Sequence, residues 1–147
     1  MEKEVVSLAE AMPADKYNFA PKEGAFTKVR TFGEQVRHIA TVNYEISAAV
    51  LDEKMPVALG ENENGSADLK TKDQIVAYLK DSFAYTHKAM QSATSENLMQ
   101  EVQNAFAQNK KVPRLQMITI PAWHSFDHYG QMVVYARMNG IVPPASR

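Results

Sequence analysis

Residues 31–52 read TFGEQVRHIATVNYEISAAVLD, and this stretch carries the most complete helix pattern in the chain. It opens with Thr31 and Glu34, which form the capping-box pair found at the start of many helices. Mostly apolar residues then recur every three or four positions, a spacing that puts them on one face of a helix. They are Phe32, Val36, Ile39, Asn43, Ile46 and Val50. We expect an amphipathic helix that ends at about Asp52.

Two other segments show the same kind of pattern. The apolar residues within 5–12 predict a short helix that stops before Pro13. Thr71 and Gln74 repeat the capping box, and the apolar stripe after them predicts a helix that ends near Ala93. That stripe consists of Ile75, Leu79, Phe83, Thr86 and Met90.

A last helix is predicted from Pro113 onward, with a stop at Asn139-Gly140. Pro121 removes a backbone hydrogen bond within this segment, so the helix either kinks there or restarts there. Its expected apolar stripe consists of Leu115, Ile118, Ala122, Phe126, Met132, Val133 and Ala136.

The segments between these helices have no helical period. Residues 53–70 contain Pro56, Gly60 and Gly65 and are expected to form a long loop. Residues 94–112 are expected to be mostly irregular, with a short helix or a hairpin and a turn at 108–111. Three long helices and one short helix predict an all-α four-helix bundle, formed by one domain over residues 1–147.

The composition excludes several functions. With 16 basic and 17 acidic residues the net charge is −1, so we expect no nucleic-acid partner. The chain has no cysteine, which excludes disulfides, thiolate metal ligands and cysteine nucleophiles. No apolar run approaches the roughly 18 residues of a membrane span, and the charged start is unlike a signal peptide. We expect no membrane contact and a cytoplasmic location.

The functional signal is a pair of histidines in the last helix. His124 and His128 are four residues apart, so both imidazoles project from one face and can reach one cation. The alternative is one buried, hydrogen-bonded histidine beside a solvated one. A metal site needs a third ligand, and either His38 or His87 can supply it. His38 lies about 100° from the centre of its helix's apolar stripe, on a flank that suits a cleft or solvent. His87 is predicted to lie at the boundary between core and solvent.

Two phrases and the end of the chain carry a family resemblance. The first histidine lies in Phe32-Gly33-Glu34-Gln35-Val36-Arg37-His38-Ile39-Ala40, and the pair lies in Trp123-His124-Ser125-Phe126-Asp127-His128-Tyr129-Gly130-Gln131. Together with the ending YARMNGIVPP at 135–144, this arrangement resembles the DinB-like (DinB/YfiT-type) family over roughly residues 5–146.

The resemblance implies an up-down-down-up bundle, often dimeric, that holds a divalent metal with three histidines. By this resemblance His38, His124 and His128 become the metal ligands, and His87 does not. The first helix is short for this family, so the bundle would lose part of one wall. We expect either an upstream start or cover from a second subunit, and a homodimer as the assembly.

The resemblance also implies a function, because relatives use the metal for thiol-dependent transfer or isomerisation and others were proposed as hydrolases. The prediction is a divalent-metal-dependent enzyme acting on a small molecule, as a thiol transferase or hydrolase. Zinc or nickel is favoured, with iron or copper as alternatives. From their positions on the helix faces, and not from the resemblance, Glu45, Gln131 and Tyr135 are predicted to contact substrate or support the ligands, unless Glu45 is a solvated flank residue and Tyr135 a core residue. The alternative is a noncatalytic metal- or ligand-binding bundle with a stress-related role.

Overall fold

The computed structural model describes residues 1–107 and 109–147, and it contains four helices and one small hairpin. The helices are α1 (Glu2–Ala11), α2 (Phe32–Leu51), α3 (Lys72–Gln91) and α4 (Arg114–Met138). The antiparallel strands β1 (Glu101–Gln103) and β2 (Lys111–Pro113) join α3 to α4. The predicted four-helix bundle is confirmed. Of the short helix and the hairpin expected as alternatives within residues 94–112, the hairpin is the one that forms. Gln108, part of the turn expected at 108–111, lies outside the described residues.

Local capping sets the starts of the two central helices. The Thr31 side chain accepts a hydrogen bond from the Glu34 amide, and the Glu34 carboxylate accepts one from the Thr31 amide. Thr71 and Gln74 make the same reciprocal pair at α3. Both capping boxes confirm the sequence prediction, because such contacts depend only on neighbours three residues apart.

Side-chain contacts show the direction of each helix. Glu10 pairs with Lys80 and Glu2 lies beside His87, so α1 runs antiparallel to α3. In contrast, α2 and α3 are parallel. Their hydrogen bonds keep the same order along both helices, as in Thr41 with Tyr78, Asn43 with Ser82, and Ser47 with Thr86.

The last helix runs antiparallel to α2, because early α2 residues contact late α4 residues. With α1 antiparallel to α3, the order is up-down-down-up. Parallel α2 and α3 need a connection that returns along the bundle, and residues 53–70 supply it. A 3₁₀ turn at Glu61–Glu63 lies in this connection. The Arg37 guanidinium holds the connection against α2 by donating to the backbone oxygens of Asn64 and Ser66, at 2.7 and 3.0 Å.

The apolar interior has two parts. The larger cluster joins all four helices and includes Leu8, Phe32, Leu79, Phe83 and Met132, all of them essentially inaccessible. The second lies toward the hairpin and is built by α2, α3, α4 and β1. With only 10 residues, α1 contributes to the first cluster alone. The histidines of interest lie on the α2–α4 contact that both clusters share.

The apolar stripe expected on α4 was partly wrong. Leu115 and Phe126 are 44% and 50% exposed, whereas Met117, Ile120 and His128 face the core. The core side and the solvent side of α4 are hard to tell apart in the sequence, because both carry apolar residues. The helix continues through Pro121 as one element, so it does not restart there. Among the described residues, none of the helices combines the length and the apolar character needed to span a membrane.

Candidate metal centre

The antiparallel contact of α2 and α4 brings three histidine side chains together. His38 extends from α2, and His124 and His128 extend from successive turns of α4. The ring of His38 lies 5.1 Å from that of His124 and 4.6 Å from that of His128, centre to centre. One nitrogen from each residue falls within 4.8 Å of the other two, which is a group that can hold a metal ion.

The fourth histidine lies elsewhere. His87 is exposed on α3, and its Nε2 lies 2.9 Å from a carboxylate oxygen of Glu2 on α1. The position of His38 around its helix suited a cleft or solvent equally, whereas the structure buries the residue, with 5% of its surface exposed.

Burial keeps all three imidazoles neutral at physiological pH. It lowers the pKa of His124 to about 3, with the other two rings adding to the effect. Burial also lowers the pKa of His128 to about 4 and that of His38 below its ordinary value, and in both the positive charge of Arg30 contributes. A neutral imidazole has a free lone pair, which is the form that binds metals.

The connection between α2 and α3 orients the His38 ring. Nδ1 of His38 lies 3.2 Å from the backbone oxygen of Glu63, which can only accept, so Nδ1 carries the proton and Nε2 carries the lone pair. A Glu63 carboxylate oxygen is 3.7 Å from the same nitrogen. Because burial keeps His38 neutral, this approach is not an ion pair. The long loop therefore contributes to the centre.

A chain of two amides orients the His128 ring, and sequence reasoning missed its first member. Nδ1 of His128 lies 2.6 Å from Oε1 of Gln35, and Nε2 of Gln35 donates to Oε1 of Gln131 at 2.8 Å. Nε2 of Gln131 in turn donates to the Asp127 carboxylate at 3.4 Å. A carboxylate can only accept, so it sets the direction of the whole chain. Nδ1 of His128 is thus the donor, and Nε2 is left to bind.

The position of the third ring, that of His124, is also compatible with a bound cation. Because Nε2 of His38 carries the lone pair, Nε2 of His124 donates a hydrogen bond to it at 3.2 Å, and a bound cation would take the place of this proton. Two nitrogens bound tetrahedrally at about 2.0–2.1 Å from zinc are separated by about 3.3 Å. Nδ1 of His124 is buried without a hydrogen-bond partner in the described part of the chain. The donor set and its spacing therefore suit a transition metal.

The remaining predicted residues occupy different positions around the centre. Gln131 belongs to the amide chain. Tyr135 is buried, and its hydroxyl donates to the backbone oxygen of Arg30 at 3.0 Å. Glu45 is half-buried on α2, and burial together with the charge of Glu63 raises its pKa to about 7. Glu45 does not belong to the group of residues that can hold a metal.

Comparison with known proteins agrees with this architecture. The family model of the DinB superfamily matches residues 1–132. A DinB-like protein from Bacillus cereus ATCC 10987 superposes with a TM-score of 0.74 at 17% identity, covering 97% of this chain and 88% of that one. A DinB-like protein from Bacillus subtilis gives 0.63 at 20% identity, covering 95% and 85%.

No curated protein matches the chain. At these identities the two structures establish the fold alone, whereas the family model covers most of the sequence. The order of the helices, the histidines on α2 and α4 and the family match agree, and the chain belongs to the DinB superfamily.

Proposed function

We propose that this protein is a divalent-metal-dependent enzyme that acts on a small molecule, as a thiol transferase or a hydrolase. The observation that carries the proposal is the convergence of three neutral imidazoles, two of which are oriented through their Nδ1 atoms. His38, His124 and His128 are the proposed ligands. Zinc or nickel is the proposed metal, since both bind imidazole well, with iron or copper as alternatives.

The proposed chemistry needs both the cation and the groups around it. When bound, a divalent cation supplies Lewis acidity, which favours loss of a proton from a water molecule or a thiol near neutral pH. Gln35 and the backbone of Glu63 hold His128 and His38 in the binding tautomer. Three neutral ligands leave the full positive charge of the cation in place, which strengthens this effect.

Glu45 is the proposed proton acceptor. It lies two turns after His38 on the same face of α2. Its Oε2 atom is buried and has no hydrogen-bond partner within residues 1–107 and 109–147. A carboxyl group with a pKa of about 7 can accept and release protons at neutral pH. Gln131 remains the proposed substrate contact, and Tyr135 is proposed to position Arg30.

Turnover by the metal-loaded protein tests the proposal. The full chain is loaded with zinc or nickel and assayed with a thiol plus an electrophilic acceptor, and separately with 4-nitrophenyl esters. Turnover is expected in the wild type and in His87→Asn, and it should be lost in His124→Asn and after chelation. Stoichiometric metal without turnover above the His124→Asn background would overturn the enzymatic proposal.

That last outcome would favour a second candidate, a noncatalytic metal-binding bundle. The observation behind it is that, among the described residues, the group that can hold a metal consists of histidines alone. A cation held in this way would stabilise the bundle or sense metal.

We also propose a homodimer that forms along α4. The face of α4 opposite the core exposes large apolar side chains along most of its length, which is unusual for a surface that meets only water. These residues are Leu115, Trp123, Phe126, Val134 and Met138. In sedimentation experiments Phe126→Glu should give monomers, whereas Met99→Glu, an exposed site outside this face, should not. A monomeric wild type would contradict the proposal. One domain over residues 1–147 and a cytoplasmic location remain predictions.

A further inference from the structure

A polar cleft lies beside the histidine centre. It has a volume of about 560 Å³, and its wall includes Gln35 and Gln131, the two amides that hold His128. Lys28 and Arg30 bring two positive charges to it, and Glu34 brings one negative charge. The Glu34 carboxylate already accepts the Thr31 amide in the helix cap. The cleft is therefore positively charged on balance.

Arg30 is half-buried and has only neutral partners. Its Nε donates to Oδ1 of Asn64 at 3.2 Å, and one terminal nitrogen donates to the backbone oxygen of Asn62 at 2.8 Å. No carboxylate lies within 4 Å of it anywhere in residues 1–107 and 109–147. A half-buried guanidinium without a counter-charge attracts an anion, because the protein leaves its field uncompensated.

The position of Arg30 also suits a molecule that reaches the metal. Arg30 lines the same cleft as Gln35, and Oε1 of Gln35 accepts the Nδ1 proton of His128 at 2.6 Å, so the cleft reaches a residue that holds the centre. The second terminal nitrogen of Arg30 makes no hydrogen bond within the described part of the chain. Its two N–H groups are available, and a planar guanidinium matches the geometry of a carboxylate.

We propose that Arg30, assisted by Lys28, makes this cleft specific for substrates that carry a carboxylate. The carboxylate binds at the free edge of the Arg30 guanidinium while the reacting group of the same molecule lies at the three histidines. This inference rests on the proposed metal-dependent function and adds the class of substrate.

The alternative role for Arg30 is to hold the loop in place. Its two loop partners are neutral oxygens, so that role needs hydrogen-bond donors but no positive charge. Arg37 provides the matched comparison, since it also donates to loop carbonyl oxygens, yet it lines a neighbouring cleft and not this one. If Arg30 binds an anion, the preference for anionic ligands should depend on the positive charge at position 30. If Arg30 only anchors the loop, substitutions of Arg30 and of Arg37 should have similar effects.

Three thiols of similar size but different charge provide the test. The full chain is loaded with Co²⁺, and binding of 3-mercaptopropionate, 2-mercaptoethanol and cysteamine is followed by the sulfur-to-cobalt absorption band. We expect the anionic thiol to bind roughly tenfold or more tightly than the neutral one, and the cationic thiol to bind most weakly. Arg30→Gln should reduce the preference to within about twofold, and Arg30→Lys should keep most of it. Arg37→Gln should leave it unchanged.

Equal affinity of the wild type for the three thiols would overturn the inference. So would a preference that survives Arg30→Gln, or one that Arg37→Gln removes equally. If Co²⁺ itself does not bind, the proposed function fails, and the cleft is then tested in the metal-free protein by NMR titration with succinate. Saturable shifts at the amides of Asn62 and Asn64, lost in Arg30→Gln, would support the carboxylate site, and their absence would reject it.

Discussion

Replacing Gln35 by methionine tests how the amide chain prepares the centre for metal. The side chain is 2% exposed, and its Oε1 accepts the Nδ1 proton of His128 at 2.6 Å. Methionine has a similar shape but cannot accept this bond, so the tautomer and the ring orientation of His128 lose their support. Loss of such an outer partner typically lowers metal affinity about 10- to 100-fold. That range corresponds to about 1.4–2.7 kcal/mol of binding free energy.

The only tryptophan provides the assay. The Trp123 ring lies 6.2 Å from that of His124, so Ni²⁺ or Co²⁺ at the centre should quench its fluorescence. Titrations of the metal-free protein then give the affinity of each variant. We expect Gln35→Met to bind about 10- to 100-fold more weakly than the wild type.

Two control variants separate tautomer support from general destabilisation. Gln116→Met makes the same change at an exposed position of α4 and should bind like the wild type. Gln35→Glu keeps an accepting oxygen for His128, so its affinity should stay within about tenfold of the wild type even if Gln35→Met folds poorly. Equal affinity of Gln35→Met, Gln116→Met and the wild type would refute the role assigned to the amide chain.

Three further predictions concern stability and are measured by urea unfolding. Folding lowers the pKa of His124 from 6.5 to about 3, so between these pH values the unfolded chain binds more protons than the folded protein. The metal-free protein should therefore lose stability as the pH falls from 6.5, and His124→Asn should weaken this dependence. The contribution of Glu45 to the pH dependence of stability has the opposite sign, because folding raises its pKa from 4.5 to about 7. Glu45→Gln should therefore become more stabilising as the pH rises from 4.5 to 7, and a constant difference in stability between variant and wild type would contradict this. Gly60 and Gly24 both have φ of +70°, but only at Gly60 would a Cβ meet a backbone oxygen at 1.9 Å. Gly24→Ala should cost about 1 kcal/mol and Gly60→Ala about 1–3 kcal/mol more, and equal costs would show that the loop yields easily.

Much of the fold could be predicted because its signals are local. The capping boxes at Thr31 and Thr71 mark helix starts through contacts three residues apart. The face of α4 was harder, since Leu115 and Phe126 supply an apolar period on the solvent side and Met117 and His128 lie on the core side. Periodicity alone does not show which of two apolar faces is covered by the rest of the bundle.

The histidine centre could be predicted only in part. The spacing of His124 and His128 puts both on one face, but the burial of His38 depends on a loop whose path has no periodic signal. Gln35 was missed because its partner, His128, lies 93 residues away along the chain. The one available signal is that Gln35 lies one turn before His38, on a helix whose other residues are largely buried.

The most direct test of the central claim is the metal content of the four single histidine-to-asparagine variants. Wild-type protein, purified without chelator or immobilised nickel, is dialysed against zinc or nickel, and bound metal is measured by mass spectrometry. One metal per chain is expected in the wild type and in His87→Asn, and much less in His38→Asn, His124→Asn and His128→Asn. A wild type that binds no stoichiometric metal, or an equal loss of metal in His87→Asn, would contradict the three-histidine centre.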